Sequence, residues 1–339
     1  MKLIIRAPNW VGDGIMALPA IDNARDMTGA SHIGVMARST TASLYENHPD
    51  VSRVIRIDDK SSRVWGAKRA AALIKDEKYD IGIILPPSFS SALIFKLGKI
   101  RGRIGFAGDI RSMLLSRAIK SPTEKMHRID EYLYLLEKMT GNKMACRPPV
   151  LYLSHDDITA GGKILKKHSL SYDDKFIAIA PQAIAPSRRW GADNYGQLAK
   201  RLVADFDCRV VLIGTSGNYE AGKKTRSYDE RNIINLCGET SLLAAASILS
   251  FAKVFVGNDS GLAHLAGAVN CPIVVLSGAD DPEETSPRCE KKFVVIKDDL
   301  DCISCVRNQC RLKGDDFMKC MNLILVDEVF DAAKKIISR

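Results

Sequence analysis

Short apolar runs that end in polar, glycine-bearing turns and pass straight into helical patterns recur along the whole of this 339-residue chain. That alternation points to an α/β fold built on parallel sheets. The sharpest case is residues 251–266, Phe-Ala-Lys-Val-Phe-Val-Gly-Asn-Asp-Ser-Gly-Leu-Ala-His-Leu-Ala. An apolar run ends at Gly257, a polar turn follows, and Leu262 begins a helical pattern. Strand, tight turn and helix together aim free backbone N–H groups and a helix dipole at an anion. Asn258, Asp259 and Ser260 are favoured N-cap types, and Gly261 permits close approach of a ligand to the backbone. A helix N-terminus favours an anion by only about 0.3–2 kcal/mol. Such a turn can orient a phosphate without specifying a substrate, and an ordinary capped turn would use the same residues.

In the first half, candidate strands are Lys2–Arg6, His32–Ala37, Val51–Ile57 and Ile81–Leu85, with helical patterns at Ile15–Met27 and Ser62–Asp76. The stretch Cys146–Asp174 carries Pro148-Pro149, an Asp-Asp pair and a polar exit, the composition of a linker between domains. A second series follows, with strands at Phe176–Ala180, Arg209–Ile213, Ile233–Leu236, Val254–Val256 and Ile273–Leu276, and a terminal helix over Val326–Ile337. The expected division is residues 1–170, 171–325 and a helix over 326–339. Both halves read as nucleotide-binding α/β units, which places a ligand in a cleft between two Rossmann-like domains.

A formal net charge of +9 implies affinity for anions without naming one. Nucleic acid is disfavoured, because zinc-finger spacing, an aromatic–glycine RNA-binding motif and a basic zipper are all missing from the sequence. No apolar run reaches the roughly 18 residues that span a bilayer. The opening Met-Lys-Leu-Ile-Ile-Arg reads as a first strand rather than a signal peptide, and a cytosolic location is expected. Nine cysteines, an odd number, then read as thiols rather than as a disulfide framework. Cys302-x-x-Cys305 with Cys310 and Cys320 has the first spacing of a zinc site but lacks a second C-x-x-C. Asp299-Leu300-Asp301 matches a D-x-D metal-binding pattern, too short to carry weight, so no metal is assigned.

Residues Gly12–Ala17 fit G-x-G-x-x-A after a strand, yet Asp13 would repel a pyrophosphate there. Read differently, two glycines expose Asp13 at the carboxyl edge of a sheet, where a carboxylate can accept a proton from an attacking hydroxyl, a task worth roughly 10²–10⁴ in rate. An N-cap would also explain it. In Pro181–Trp190, Arg188 and Arg189 can neutralise a diphosphate, since guanidinium suits bidentate phosphate contacts. The exit Gly214-Thr-Ser-Gly-Asn218-Tyr-Glu220 offers Asn218 and Glu220 to ribose hydroxyls or, equally, to a helix cap. Arg101, Arg103, Arg111 and Arg117 lie among Met113, Leu114, Leu115 and Ile119, which suits either an anionic amphiphile or a solvated helix face. His264 follows the phosphate turn and reads as a packed or capping imidazole.

Three signatures make these residues a resemblance. They are Ala7-Pro8-Asn9-Trp10-Val11-Gly12-Asp13 with Met16 and Pro19, Ala185-Pro186-Ser187-Arg188-Arg189-Trp190, and Asn258-Asp259-Ser260-Gly261-Leu262-Ala263-His264 followed by Gly278-Ala279-Asp280-Asp281-Pro282. The chain resembles the heptosyltransferases of glycosyltransferase family 9, the heptosyltransferase II branch most closely. The resemblance implies a GT-B fold with a C-terminal helix returning to the first domain. It also implies metal-independent, inverting transfer of heptose from ADP-heptose to a lipid A-linked inner-core acceptor, without a cofactor, by a cytoplasmic enzyme peripheral to the inner membrane. It puts Asp13 in the general-base position, Ser260 and Gly261 around the diphosphate, and Asp259 against the sugar. Thr240 falls near the adenine, Asn218 or Glu220 near the ribose, and Arg188 where the family usually has Lys. Arg103, Arg111 and Arg117 fit an acidic acceptor. Two other readings share these residues: a family 9 transferase of another nucleotide sugar, and a non-catalytic binder of nucleotide or anionic lipid.

Overall fold

The computed structural model describes residues 1–58, 64–108 and 110–338. The chain divides into two compact units, Met1–Tyr152 and Leu153–Arg339. The division falls within the linker-like stretch, ahead of the expected residue 170. Residues 155–167 are a helix of the second unit, because Ser154 and Asp157 close a capping box that starts it.

The first unit runs β1 (Lys2–Arg6), α1 (Val11–Met16), α2 (Leu18–Thr28), β2 (His32–Arg38), β3 (Arg53–Ile57), α3 (Val64–Lys75), β4 (Ile81–Ile84), α4 (Phe89–Leu97), β5 (Gly102–Phe106), β6 (Arg117–Ile119) and α5 (Arg128–Thr140). Its sheet has the order β3-β2-β1-β4-β5-β6, every pairing parallel. Leu3, Ile4 and Ile5 are buried on both faces of the sheet, which is why β1 reads as a continuous apolar run rather than an alternating one. The four expected strands of this half are present. β5 and β6 were not expected, since Gly-Arg-Ile-Gly-Phe and Arg-Ala-Ile are too short and too polar to stand out as strands. The expected start of the third helix at Ser62 lies outside the described residues.

The second unit runs α6 (His155–Lys167), β7 (Phe176–Ala180), α7 (Ala192–Phe206), β8 (Arg209–Leu212), α8 (Tyr219–Arg226), β9 (Ile233–Asn235), α9 (Leu242–Phe251), β10 (Phe255–Asn258), α10 (Gly261–Ala268), β11 (Ile273–Leu276), α11 (Pro282–Thr285), β12 (Lys292–Val295), α12 (Lys319–Asn322) and α13 (Val326–Ile337). Its sheet order is β12-β11-β10-β7-β8-β9, again all parallel. Counted from its own first strand, each sheet has the order 3-2-1-4-5-6 of the doubly wound dinucleotide-binding fold. Strand order reverses between β1 and β4 in one unit and between β7 and β10 in the other. The loops leaving the carboxyl ends of those strands diverge there and leave a crevice for a ligand.

The terminal helix occupies the expected residues but not the expected place. α13 packs on α7, β11 and β12 of the second unit, with Val329, Phe330, Ala332 and Ala333 buried. Its apolar face is spent in that core, where each large side chain stabilises by about 1.5–3 kcal/mol. The indole of Trp190 donates to the Ile324 carbonyl at 2.9 Å and ties the chain entering α13 to the loop after β7.

Candidate active site

β1 ends in a buried cation. Arg6 is 2% exposed and donates to Asn9 Oδ1 at 2.6 Å, to the Met36 carbonyl at 3.3 Å and to the Ala7 carbonyl. Burial, reinforced by repulsion from Arg38, lowers its pKa to about 10. These bonds set the Ala7–Trp10 turn that delivers Asp13 into the first turn of α1. Trp10, not Asp13, holds the N-cap position and makes no side-chain cap. Asp13 is half-buried. Its charge acts on three neighbours: it raises the pKa of Tyr45 and Tyr132, whose burial is the larger cause, and of Arg128. Burial opposes the rise at Arg128, and the carboxylate of Glu131 leads it. A carboxylate between two buried phenols and a permanent cation sits at the β1/β4 crevice.

The reversal in the second unit gathers a denser polar set. Arg188, in the turn after β7, pairs with Asp280, which follows β11, at 2.6 Å. Asp259 follows β10, is 3% exposed, and has Oδ1 3.8 Å from Nε2 of His264. Both amide atoms of Asn258, Oδ2 of Asp259, Oδ2 of Asp280 and Nε of Arg188 are buried without a hydrogen-bond partner. Orphaned buried polar atoms cost about 1–3 kcal/mol each, so five of them at one crevice make it the candidate site for a polar ligand. Burial, and then Asp280, pushes the Asp259 carboxyl up to about 7; burial, opposed by Arg188, pushes Asp280 up to about 6. Desolvation lowers the pKa of Lys292, at the start of β12, while Cys289 and then Asp259 act to raise it. Ser260 stands at the N-cap of α10 with extended backbone and no side-chain cap. The turn is therefore not one capped by its own side chain.

The remaining expected donor residues lie at the same carboxyl edge. Asn218 Oδ1 accepts from the Thr215 amide at 2.9 Å and its hydroxyl at 3.0 Å, closing the turn before α8, whereas Glu220 is exposed. The Gly238 amide donates to the Gly214 carbonyl at 2.9 Å. Gly238 has φ +89°, and a Cβ there would stand 3.0 Å from Ser216 Cα. This bond ties the segment that leads from β9 to Thr240 to the β8 exit. Arg189 turns back on its own loop, donating to the carbonyls of Ala183 at 2.9 Å and Ile184 at 3.1 Å, so Arg188 alone of the pair faces the crevice. The expected acceptor arginines serve the main chain: Arg103 donates to the Leu114 carbonyl at 2.7 Å, Arg117 to Met139 at 2.8 Å, and buried Arg111 to Ile84 at 3.4 Å.

The four cysteines gather without closing. Cys302, Cys305 and Cys310 all act on Cys320, whose pKa rises to about 11, chiefly through burial. The Ser304 amide donates to the Gly278 carbonyl at 2.9 Å and Val306 to Ala279 at 2.7 Å, so the C-x-x-C turn buttresses the loop that carries Asp280. Among the described residues, ligand atoms come within metal-binding distance of one another at Asp22, His48 and Asp50. That trio is already engaged: His48 Nδ1 accepts from the Asp50 amide at 3.2 Å, Nε2 lies 3.0 Å from Asp22, and Asp50 pairs with Arg25 at 2.6 Å.

Sequence reasoning passed over Asn258 and Asp280 as partners and missed Arg6. The signals were present: a charged residue at the end of a run buried on both faces, and a carboxylate beside an arginine at one sheet edge.

Comparison with known proteins agrees with this fold. Residues 68–315 match the model for glycosyltransferase family 9 (heptosyltransferase). Lipopolysaccharide heptosyltransferase 2 of Salmonella typhimurium is 30% identical over 87% of this chain and 88% of its own length. The structure of E. coli ADP-heptose lipopolysaccharide heptosyltransferase II superposes with TM-score 0.82 at 25% identity, covering 100% of this chain and 99% of that one. A family 9 glycosyltransferase from Veillonella parvula superposes with TM-score 0.88 at 19% identity over 99% of this chain and 97% of its own, a likeness of fold. Two doubly wound units with a built polar crevice, and a family match across most of the chain, lead to one conclusion: the protein is a glycosyltransferase with the GT-B fold class and belongs to glycosyltransferase family 9, the heptosyltransferases.

Proposed function

We propose that this enzyme transfers heptose from ADP-heptose to the lipid A-linked inner core of lipopolysaccharide, with inversion at the anomeric carbon. The observation that carries the reading is the set of orphaned buried polar atoms on Asn258, Asp259, Asp280 and Arg188, a bonding pattern suited to a polyhydroxylated sugar diphosphate. The acceptor hydroxyl attacks the anomeric carbon and its proton passes to Asp13. The bond from that carbon to the diphosphate oxygen breaks, and ADP departs. Arg188, the Ser260 hydroxyl and the amides at Ser260 and Gly261 take up the charge that develops on the diphosphate. Asp259 holds a sugar hydroxyl, and Thr240 with Asn218 or Glu220 borders the nucleoside. The sequence likeness to heptosyltransferase 2 enzymes supports this donor and acceptor.

Action at the cytoplasmic face of the inner membrane follows from such an acceptor. Among the described residues no helix is long and apolar enough to cross a membrane. Exposed Met113 and Ile110, 79% and 68% accessible, supply an apolar face suited to peripheral attachment. Arg103, Arg111 and Arg117 enter this reading as residues that shape that face, with the contacts above directing their guanidinium groups to carbonyls. The test is a panel of nucleotide sugars against Kdo-bearing lipid A, with and without a first heptose, products being identified by mass spectrometry. Transfer of heptose to the already heptosylated acceptor is expected; transfer only from another donor, or none, overturns the proposal.

A further inference from the structure

The polar crevice of the second unit carries a charge imbalance that bears on how it takes a diphosphate. We propose that Asp280 is the positioning residue of this site: it holds Arg188 by their ion pair and takes up one proton from solvent when a nucleoside diphosphate sugar engages that guanidinium. The inference rests on the donor reading above and adds a proton to it.

Arg188 faces Asp280 at 2.6 Å, and its side chain keeps 31% exposure, while that of Asp280 keeps 6%. The guanidinium therefore has an open side for a ligand and a closed side held by carboxylate. Asp259 is the second carboxylate at the site, with His264 Nε2 3.8 Å from one of its oxygens and the exposed Lys292 in its field. Asp281 is occupied elsewhere, its Oδ1 accepting from the Glu283 amide at 3.0 Å in the first turn of α11. A diphosphate esterified at both ends brings two further negative charges to a site already holding two buried carboxylates against two cations. Such a pile-up in a water-poor crevice is relieved by protonating the carboxylate whose cation has been taken. Asp280 is that carboxylate, since of the two it makes the direct ion pair with Arg188, which reaches Asp259 only through its field, and a proton on Asp280 also removes the repulsion that raises Asp259. The loop is rigid enough for the exchange: Ser187 Oγ donates to the Arg307 carbonyl, and Ser277 Oγ to the Asp280 carbonyl at 3.3 Å.

The experiment is calorimetry of ADP-heptose binding to the full chain from pH 7 to 8.5, in paired buffers of different ionisation enthalpy. The doubly esterified diphosphate of this probe does not titrate in that range. Wild type is expected to take up a proton on binding and to lose up to about tenfold in affinity per pH unit as pH rises. Asp280→Asn should bind with no uptake and a flat pH profile, whereas Asp280→Glu and Asp259→Asn retain the uptake; thermal unfolding verifies that each variant is folded. Binding by wild type without uptake, or uptake that survives in Asp280→Asn, overturns the proposal and leaves the donor reading standing. Absence of ADP-heptose binding at every pH overturns the donor reading and the proposal with it.

Discussion

The hydroxyl of Tyr45 donates to the Gly14 carbonyl at 3.2 Å, one residue from Asp13, and the same phenol closes the space over Gly14. A Cβ at Gly14 would stand 2.9 Å from Tyr45 Oη and 3.0 Å from Leu44 Cδ1. Tyr45 is fully buried and has no room to yield. Gly14→Ala is expected to cost about 1–3 kcal/mol of stability through overpacking. It should also lower kcat by displacing the first turn of α1. Urea denaturation and steady-state transfer assays measure the two effects, and an unchanged kcat would show that Asp13 tolerates movement of this turn.

Replacing the carboxylate of Asp13, the proposed base, with an amide of the same shape isolates its chemistry. Asp13→Asn should lower kcat by roughly 10²–10⁴. Its ADP-heptose affinity by calorimetry should stay at the wild-type value, because the donor contacts are assigned to the second unit. A variant with wild-type turnover would remove Asp13 from the mechanism.

Asp259 gives a pH signature in stability. Its native pKa of about 7, raised chiefly by burial, lies above the ordinary value of 3.8. The native state thus holds a proton that the unfolded chain releases, and this contribution to stability is complete below pH 4 and lost as pH rises toward 7. Asp259→Asn, neutral at every pH, should therefore gain stability relative to wild type at pH 8 and show little gain at pH 4.5. Chemical denaturation of both proteins at the two pH values decides it; a gain that does not grow with pH contradicts the buried-carboxyl account.

The terminal helix offers a test of packing. Phe330 is 3% exposed in the core formed with α7, and the Arg201 guanidinium stacks over its ring at 4.1 Å. Phe330→Ala should cost about 3–5 kcal/mol, observed as a lowered urea midpoint. If α13 were dispensable to the second unit, the midpoint would not move.

Much of this architecture was readable from residue order alone. Apolar runs such as Phe176–Ala180 and Ile273–Leu276 mark central parallel strands because both faces of each must be buried, and Val326–Ile337 marks a helix through its spacing. Asp13, Arg188, Asp259 and Ser260 could be proposed as site residues from order alone because they follow strand exits, and strand exits in doubly wound sheets are where ligands bind, whatever the detailed packing. Periodicity records how a segment meets a generic apolar environment, so it carries the fold class and the location of the loops.

Partnership is a different property, and only the tertiary structure decided it. β5 and β6 become strands by pairing with β4 and with each other, which their own residues do not announce. Arg188 and Arg189 are adjacent and chemically identical, yet one faces Asp280 across the crevice and the other caps its own loop. Arg103, Arg111 and Arg117 form a basic stretch in sequence but are spent on carbonyls in space. The reason is physical: hydrogen bonds and charge interactions act over a few ångströms, and which groups come within that range depends on how distant segments pack.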